Sequence, residues 1–259
     1  MRTPLRSAAM AFTMFSIFPM PEVEWKEENM KYMLCALPLV GAAVGAGLWL
    51  WEALCRWLEA GSLLRAVGLT LIPVALSGGI HMDGFCDTVD ALSSHAPPER
   101  KREILKDPRT GAFGAMAVPA ELLLYAGLCA ELPLGERTAL ALALHQIMAR
   151  ALGGLAGTVF PMSGGRGLLA SFRAGATGKA PWILGGWVVL AGAGLVWLAP
   201  VSGLVSLLAC GLCLFYVYRM ARREFGGMSG DLAGYLITVS QLVLLACFVI
   251  SERVVSLWF

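Results

Sequence analysis

The sequence predicts an all-α fold, a polytopic integral membrane helical bundle of about seven spans preceded by an N-terminal interfacial or re-entrant helix. Three observations predict it. Of 259 residues, 58% are hydrophobic and 15% charged, against about 25% charged in an ordinary soluble domain, and the mean hydropathy is +0.70. Apolar stretches near 33–55, 62–82, 112–130, 138–160, 181–199, 203–218 and 233–251 are each long enough to span, or nearly so. Basic residues alternate between them. Segments 1–32, 83–111, 161–180 and 219–232 hold 4, 5, 3 and 3 Lys/Arg, whereas 56–61, 131–137, 200–202 and 252–259 hold 1, 1, 0 and 1. Seven spans put the two sets on opposite sides, and the positive-inside rule assigns the richer set to the cytoplasm.

Taken in order, residues 7–21 are apolar but too short to span, and they end at Pro19 and Pro21. They read as the interfacial or re-entrant helix, and no cleavable signal peptide is expected. A charged segment with Glu22, Glu24, Glu27 and Glu28 follows. Arg65 opens the second span and is expected to snorkel outward. Glu121 and Arg150 fall near the middle of their spans, where ionisable groups are costly; they form either a mutual ion pair or the wall of a polar pocket. His145 is expected to be structural. The seven cysteines lie mostly inside apolar stretches and are odd in number, which argues against a disulfide framework or a zinc site. Cys210 and Cys213 form a C-x-x-C without redox context. No repeat, low-complexity tail or linker divides the chain, so 1–259 is expected to be a single membrane-embedded domain. A net charge of +2 gives no reason to expect a nucleic-acid partner.

Chemistry concentrates in three clusters. The first is His81-Met82-Asp83-Gly84-Phe85-Cys86-Asp87-Thr88-Val89-Asp90. Asp83, Asp87 and Asp90 are spaced i, i+4, i+7, which on a helix confines them to a sector of roughly 60°. Three anions that close repel one another, no Lys or Arg interleaves with them, and all-oxygen ligands suit a hard ion such as Mg²⁺. Gly78, Gly79 and Gly84 leave room for a neighbouring helix or a ligand, and His81 is placed to orient a carboxylate or touch substrate. The second cluster is Lys106-Asp107-Pro108-Arg109-Thr110-Gly111, a turn that presents an acid between two bases. Arg109 suits a bidentate grip on phosphate, and Asp107 suits a ligand or base. The third is Gly226-Gly227-Met228-Ser229-Gly230-Asp231, a glycine-rich loop of the kind whose N–H groups cradle phosphate, closed by a carboxylate at the last span.

At these clusters the chain resembles the cobalamin synthase family, the adenosylcobinamide-GDP ribazoletransferases. The family's Gly-Gly followed by Asp-Gly-x-x-Asp-x-x-Asp stands here as Gly78-Gly79 and Asp83 to Asp90. Its Lys/Arg-Asp-x-Arg-x-Gly turn stands as Lys106 to Gly111, and its late Gly-Gly-x-Thr-Gly-Asp as Gly226 to Asp231 with Ser229 for Thr. The early Phe-x-x-x-Pro-x-Pro is matched by Phe15 to Pro21. Ala91 and Pro108 depart from the family's usual Gly and Ser, without removing a charge.

The resemblance implies a Mg²⁺-dependent enzyme that joins adenosylcobinamide-GDP to α-ribazole or its 5′-phosphate, giving adenosylcobalamin or its 5′-phosphate and GMP. It implies a cell (inner) membrane location with the active site on the cytoplasmic side. Asp83, Asp87, Asp90 and Asp231 would be metal ligands, and with Asp107 they form the expected catalytic set. Asp90 or Asp107 is the candidate base. His81, Gly84, Lys106, Arg109, Gly111, Arg150, Gly227 and Gly230 are the expected substrate contacts. The expected partners are the two substrates and the lipid bilayer; self-association and docking with other corrinoid-pathway enzymes stay open. Alternatives are another Mg²⁺-dependent membrane enzyme acting on diphosphates, of CDP-alcohol phosphotransferase or prenyltransferase type, and a cation transporter. The first lacks its Asp-x-x-Asp-Gly-x-x-Ala-Arg signature here, the second a second Asp-rich motif, and the third acids spread through several spans.

Overall fold

The computed structural model describes residues 3–164 and 167–258, and apart from turns these are helical, with one isolated parallel bridge between Met162 and Met228. Helices α1 (Thr3–Phe15) and α2 (Glu27–Met30) lead through a single 3-10 turn (Leu34–Ala36) into α3 (Leu37–Trp57). Then come α4 (Ser62–Leu76), α5 (Ile80–Ser93), α6 (Pro98–Ile104), α7 (Ala112–Ala130) and α8 (Glu136–Val159). Last are α9 (Leu168–Gly175), α10 (Ala180–Leu198), α11 (Pro200–Phe225) and α12 (Gly230–Trp258). Among the described residues, six helices are long and apolar enough to cross a membrane unaided: α3 with its lead-in, α7, α8, α10, α11 and α12. Helix α8 is central and packs against α3, α10 and α12. Leu63, Leu123, Trp182, Leu190 and Leu208 lie exposed on the outer faces, as a lipid-facing surface requires.

The second span is shorter than the sequence suggests. Helix α4 stops at Leu76, and Gly78 and Gly79 then take φ of +64° and +76°. That left-handed region is strained for residues with a Cβ and open to glycine. The chain leaves it bent by 91°, so the aspartates begin a helix of their own instead of continuing a straight 62–82 span. Helix α4 still reaches from end to end: Arg65 near its start meets the loop after α7, while the Ile17 N–H donates to the Leu76 carbonyl at 3.0 Å.

The expected two-sidedness is visible in which loops touch. Lys101 pairs with Glu224 at 2.5 Å, Arg102 donates to the Phe225 carbonyl at 3.1 Å, the Ser163 N–H to Met228 at 3.0 Å and the Thr177 N–H to Lys31 at 2.9 Å. All four basic-rich segments therefore share one end. At the other end Arg253 pairs with Glu131 at 2.6 Å and Arg137 with Glu252 at 3.0 Å. Arg65 corrects one expectation. It stays inside, forked onto Glu52 through Nε and Nη2 at 2.8 Å each, with Nη1 donating to the Leu132 carbonyl at 2.7 Å. A buried charge is tolerated when it is both paired and hydrogen-bonded.

Candidate active site

Helix α5 crosses the start of α12 in direct backbone contact. A Cβ on Gly84 would lie 2.7 Å from the Asp231 carbonyl oxygen, and one on Gly234 would lie 3.1 Å from the His81 carbonyl oxygen. Small residues on both helices make that approach possible, so Gly84 serves a helix crossing, and Gly234 is its partner. Sequence reasoning missed Gly234; its place one turn after Gly230 was the only signal. The Thr238 hydroxyl donates to the His81 carbonyl at 3.1 Å, and Phe85 stacks on Tyr235 with ring centres 5.8 Å apart. Ser229 caps α12, accepting the Leu232 N–H at 3.3 Å while its hydroxyl approaches Asp231 Oδ2 at 3.4 Å. The crossing brings Asp231 to the acidic face of α5. Burial and the neighbouring Asp83, Asp231 and Asp90 carboxylates push the Asp87 carboxyl up to about 6.

Asp90 is engaged elsewhere. Its Oδ2 accepts the Gly111 N–H at 2.7 Å and its Oδ1 accepts the Gly114 N–H at 2.9 Å. It thus holds the otherwise unpaired N–H groups at the start of α7 from a different helix. A Cβ on Gly111 or Gly114 would come within 2.5 Å of that carboxylate. Gly111, expected to touch substrate, is a glycine because Asp90 occupies the space. Gly114 is a further member of this clamp that sequence reasoning missed; the Gly-x-x-Gly spacing at a helix start was its signal.

The turn before α7 is also internally satisfied. Arg109 forks onto Asp107 through Nε at 2.9 Å and Nη2 at 2.8 Å, and its N–H bonds Asp107 Oδ1 at 3.1 Å. These bonds hold the Asp107 carboxyl down at about 2, which makes it a weak base near neutrality. Lys106 is exposed beside them.

Gly227 answers to packing. Its φ is +150°, and a Cβ there would sit 2.3 Å from the Met162 carbonyl carbon, where Met228 bridges Pro161 and Ser163. The loop meets another loop at Gly227, so no phosphate is needed to explain that glycine. Gly230 has nothing within 4 Å of its would-be Cβ. Glu121 and Arg150 make no ion pair among the described residues. Arg150 Nη1 donates to Gln146 Oε1 at 2.7 Å, and the same oxygen accepts from Gln241 at 2.7 Å. Arg150 Nε and Nη2 and Glu121 Oε2 find no partner. Arg150 is buried on α8 and lines neither cavity that borders the carboxylates. His145 packs edge-on to Phe248 at 5.7 Å, in keeping with a structural role. All seven cysteines are free thiols.

Two cavities meet at Asp83. One, open and of about 700 Å³, runs along Ser77, Gly78, Gly79 and Cys86. The other, more enclosed and of about 130 Å³, lies between α1, α5, α9 and α12 and is bordered by His81, Gly230 and Asp231. Among the described residues no three His, Cys, Asp or Glu side chains converge into a ready-made metal cage. Mg²⁺ does not need one, since it takes one or two carboxylates and completes its shell with phosphate oxygens and water. The oxygen-only donors Asp83, Asp87 and Asp231, with Asp87 resisting ionisation beside the others, fit that ion on chemistry.

A family profile described as cobalamin-5-phosphate synthase matches residues 7–249. An adenosylcobinamide-GDP ribazoletransferase of Lachnoclostridium phytofermentans is 38% identical over 252 residues, which is 97% of this chain and 96% of that one. Proteins of the same description from Clostridium perfringens and Pseudomonas savastanoi pv. phaseolicola are 33% and 34% identical over 90% and 85% of this chain, and 92% and 88% of theirs. No solved structure matches the chain.

Proposed function

The chain belongs to the cobalamin-5-phosphate synthase family, and we propose that it is an adenosylcobinamide-GDP ribazoletransferase centred on the carboxylates of α5 and α12. The substrates are adenosylcobinamide-GDP and α-ribazole or its 5′-phosphate; the products are adenosylcobalamin or its 5′-phosphate and GMP. In the reaction a ribose hydroxyl oxygen of the ribazole forms a bond to the corrinoid-side phosphorus of the diphosphate. The bond from that phosphorus to the bridging oxygen breaks, GMP leaves with it, and the hydroxyl proton passes to a base.

The observation that carries this reading is the crossing at Gly84, which sets Asp231 beside Asp83 where two cavities of unequal size adjoin, with Asp87 one turn further along α5. Such a transfer needs in-line placement and neutralised charge more than covalent help from the protein. Carboxylates drawn from Asp83, Asp87 and Asp231 would hold a Mg²⁺, which when bound would offset charge on the diphosphate. Asp83 borders both cavities and orients the hydroxyl. Asp90 keeps the N-terminus of α7 against α5, and Lys106 and Arg109 on that turn balance phosphate charge. The joined basic-rich loops support a site on the cytoplasmic side of the cell (inner) membrane.

Transport is disfavoured by Glu52, an acid within a span that is already neutralised by Arg65. The test is to supply protein-containing membranes with adenosylcobinamide-GDP, α-ribazole and Mg²⁺. GMP and the joined corrinoid should appear in equal amounts and stop on chelation; GMP without joined product, or neither, overturns the reading.

A further inference from the structure

We propose that the basic end of α11 holds the headgroup of one anionic phospholipid, whose acyl chains lie along the outer face of that helix. Such a site is independent of the transferase reading and lies on the side of α5 away from its carboxylates.

A third cavity, open and of about 840 Å³, lies between the end of α5, α6 and the last turns of α11. Leu92 borders it and follows Asp83 by nine residues, about two and a half turns, which is the opposite face of the helix. None of the site aspartates lines it. Its wall is basic, with Lys101, Arg219, Arg222 and Arg223 against the single acid Glu224. That acid is already engaged by Lys101 at 2.5 Å and Arg223 at 3.4 Å. Arg219 and Arg222 pair with no carboxylate among the described residues, yet neighbouring rings position both. Arg222 donates to the Tyr218 hydroxyl at 2.8 Å and lies 5.5 Å from that ring, and Arg219 lies 5.7 Å from the Phe215 ring. Two guanidiniums held one turn apart, each with a planar fork of N–H donors, suit the oxygens of a phosphate.

The rest of the helix says which phosphate. Leu204, Leu208, Leu212 and Phe215 are exposed, and with the exposed Arg219 and Arg222 they form one stripe within about 80° of the helix surface. Helix α11 has 26 residues, several more than the ~20 that cross the hydrocarbon core, so the two arginines at its end stand at headgroup level. Tyr216 and Tyr218 border the cavity at the same level, where amphipathic rings are favoured. An acyl chain laid on Leu208 and Leu212 thus brings its phosphate to Arg219 and Arg222. A free phosphate would use the arginines and leave the apolar stripe without a role. A zwitterionic lipid would bring a cation of its own to a wall already in positive excess, so the anionic class fits.

The test uses the full-length protein in neutral detergent, titrated with phosphatidylglycerol or phosphatidylcholine, with bound lipid counted by native mass spectrometry. Wild type should bind one phosphatidylglycerol at least ~10-fold more tightly than phosphatidylcholine. The double variant Arg219→Gln with Arg222→Gln should reduce that preference to within about 2-fold, and Arg219→Lys with Arg222→Lys, which keeps both charges, should recover most of it. The control is Arg100→Gln with Lys179→Gln, which removes two exposed charges from the same end outside the cavity and should leave the preference unchanged. All four positions are exposed, so the substitutions leave the core intact. Equal loss in the two glutamine pairs would mean a general attraction to basic loops and would overturn the site. So would a wild type without preference, or an Arg219 and Arg222 pair whose removal changes nothing. Displacement of the lipid by millimolar inorganic phosphate would make this a small-anion site, and displacement by adenosylcobinamide-GDP would give the cavity to that substrate; either result overturns the lipid assignment.

Discussion

Asp87 and Asp90 carry the same charge one turn apart on α5, and their removal should fail in different ways. Asp87 sits among like charges and accepts no side-chain hydrogen bond among the described residues, so Asp87→Asn should relieve repulsion in metal-free protein. We expect its metal-free melting temperature to equal or exceed that of wild type, turnover to fall at least ~100-fold, and the stabilisation that Mg²⁺ gives wild type to disappear. Asp90→Ala strips the cap from α7, a loss of about 0.5–2 kcal/mol, and should lower the melting temperature with or without Mg²⁺. Equal behaviour of the two variants in thermal scans would remove the distinction between ligand and clamp. The glycines divide similarly. Gly227→Ala collides with the backbone at Met162 and should destabilise, whereas Gly230→Ala meets no atom within 4 Å and should alter the kinetics of the cavity it borders with stability intact. Sequence singled out Asp90, Gly111 and Gly227, and the structure gives Asp90 a capping role and the two glycines a packing one. What it had no means of assigning was the partner, because Asp90 and Gly111 meet 21 positions apart and Arg65 meets Glu52 across two helices.

For the elements, the decisive event is the crossing of α5 with α12. Gly84→Ala places a methyl group where only 2.7 Å separates it from the Asp231 carbonyl oxygen, and backbone cannot swing aside as a side chain does. The helices must part, so Asp231 moves away from Asp83 and Asp87. Turnover should fall at least ~10-fold while the spans stay inserted. Gly61→Ala, at a loop position with open space around it, is the control and should leave turnover unchanged. If Gly84→Ala proves as active as the control, the carboxylates do not depend on this crossing. Helix identity along the chain was legible from apolar runs, since burial in lipid and in the bundle both select the same residues. The 91° bend was not legible. Gly78-Gly79 inside an apolar run is compatible with a tight interhelical contact or with a turn, and only the left-handed φ values distinguish them.

Across the whole molecule, the acidic site, the basic loops and the two cavities all lie at one end, and the proposed orientation puts that end in the cytoplasm. The site-bearing end is cross-braced: Lys101 is buried under Glu224 and Arg102 reaches the end of α11, while Asp90 holds α7. The far end has its own buried brace, Arg65 forked onto Glu52 and bonded to the Leu132 carbonyl, beside exposed pairs such as Arg253 with Glu131, which contribute little. These buried braces set how the orientation is best measured. A probe at Lys101 would disturb a buried pair, so the reporter belongs at Glu99, 73% exposed on its side chain, with Glu59 for the opposite end. In a background lacking the native cysteines, an impermeant thiol reagent added outside intact cells should label Glu59→Cys and miss Glu99→Cys until the membrane is opened. The reverse pattern would put the carboxylates outside and would remove the cytoplasmic assignment while leaving the helix packing untouched. Labelling of both from outside would mean that α4 does not span, and the count would return to the six unaided helices.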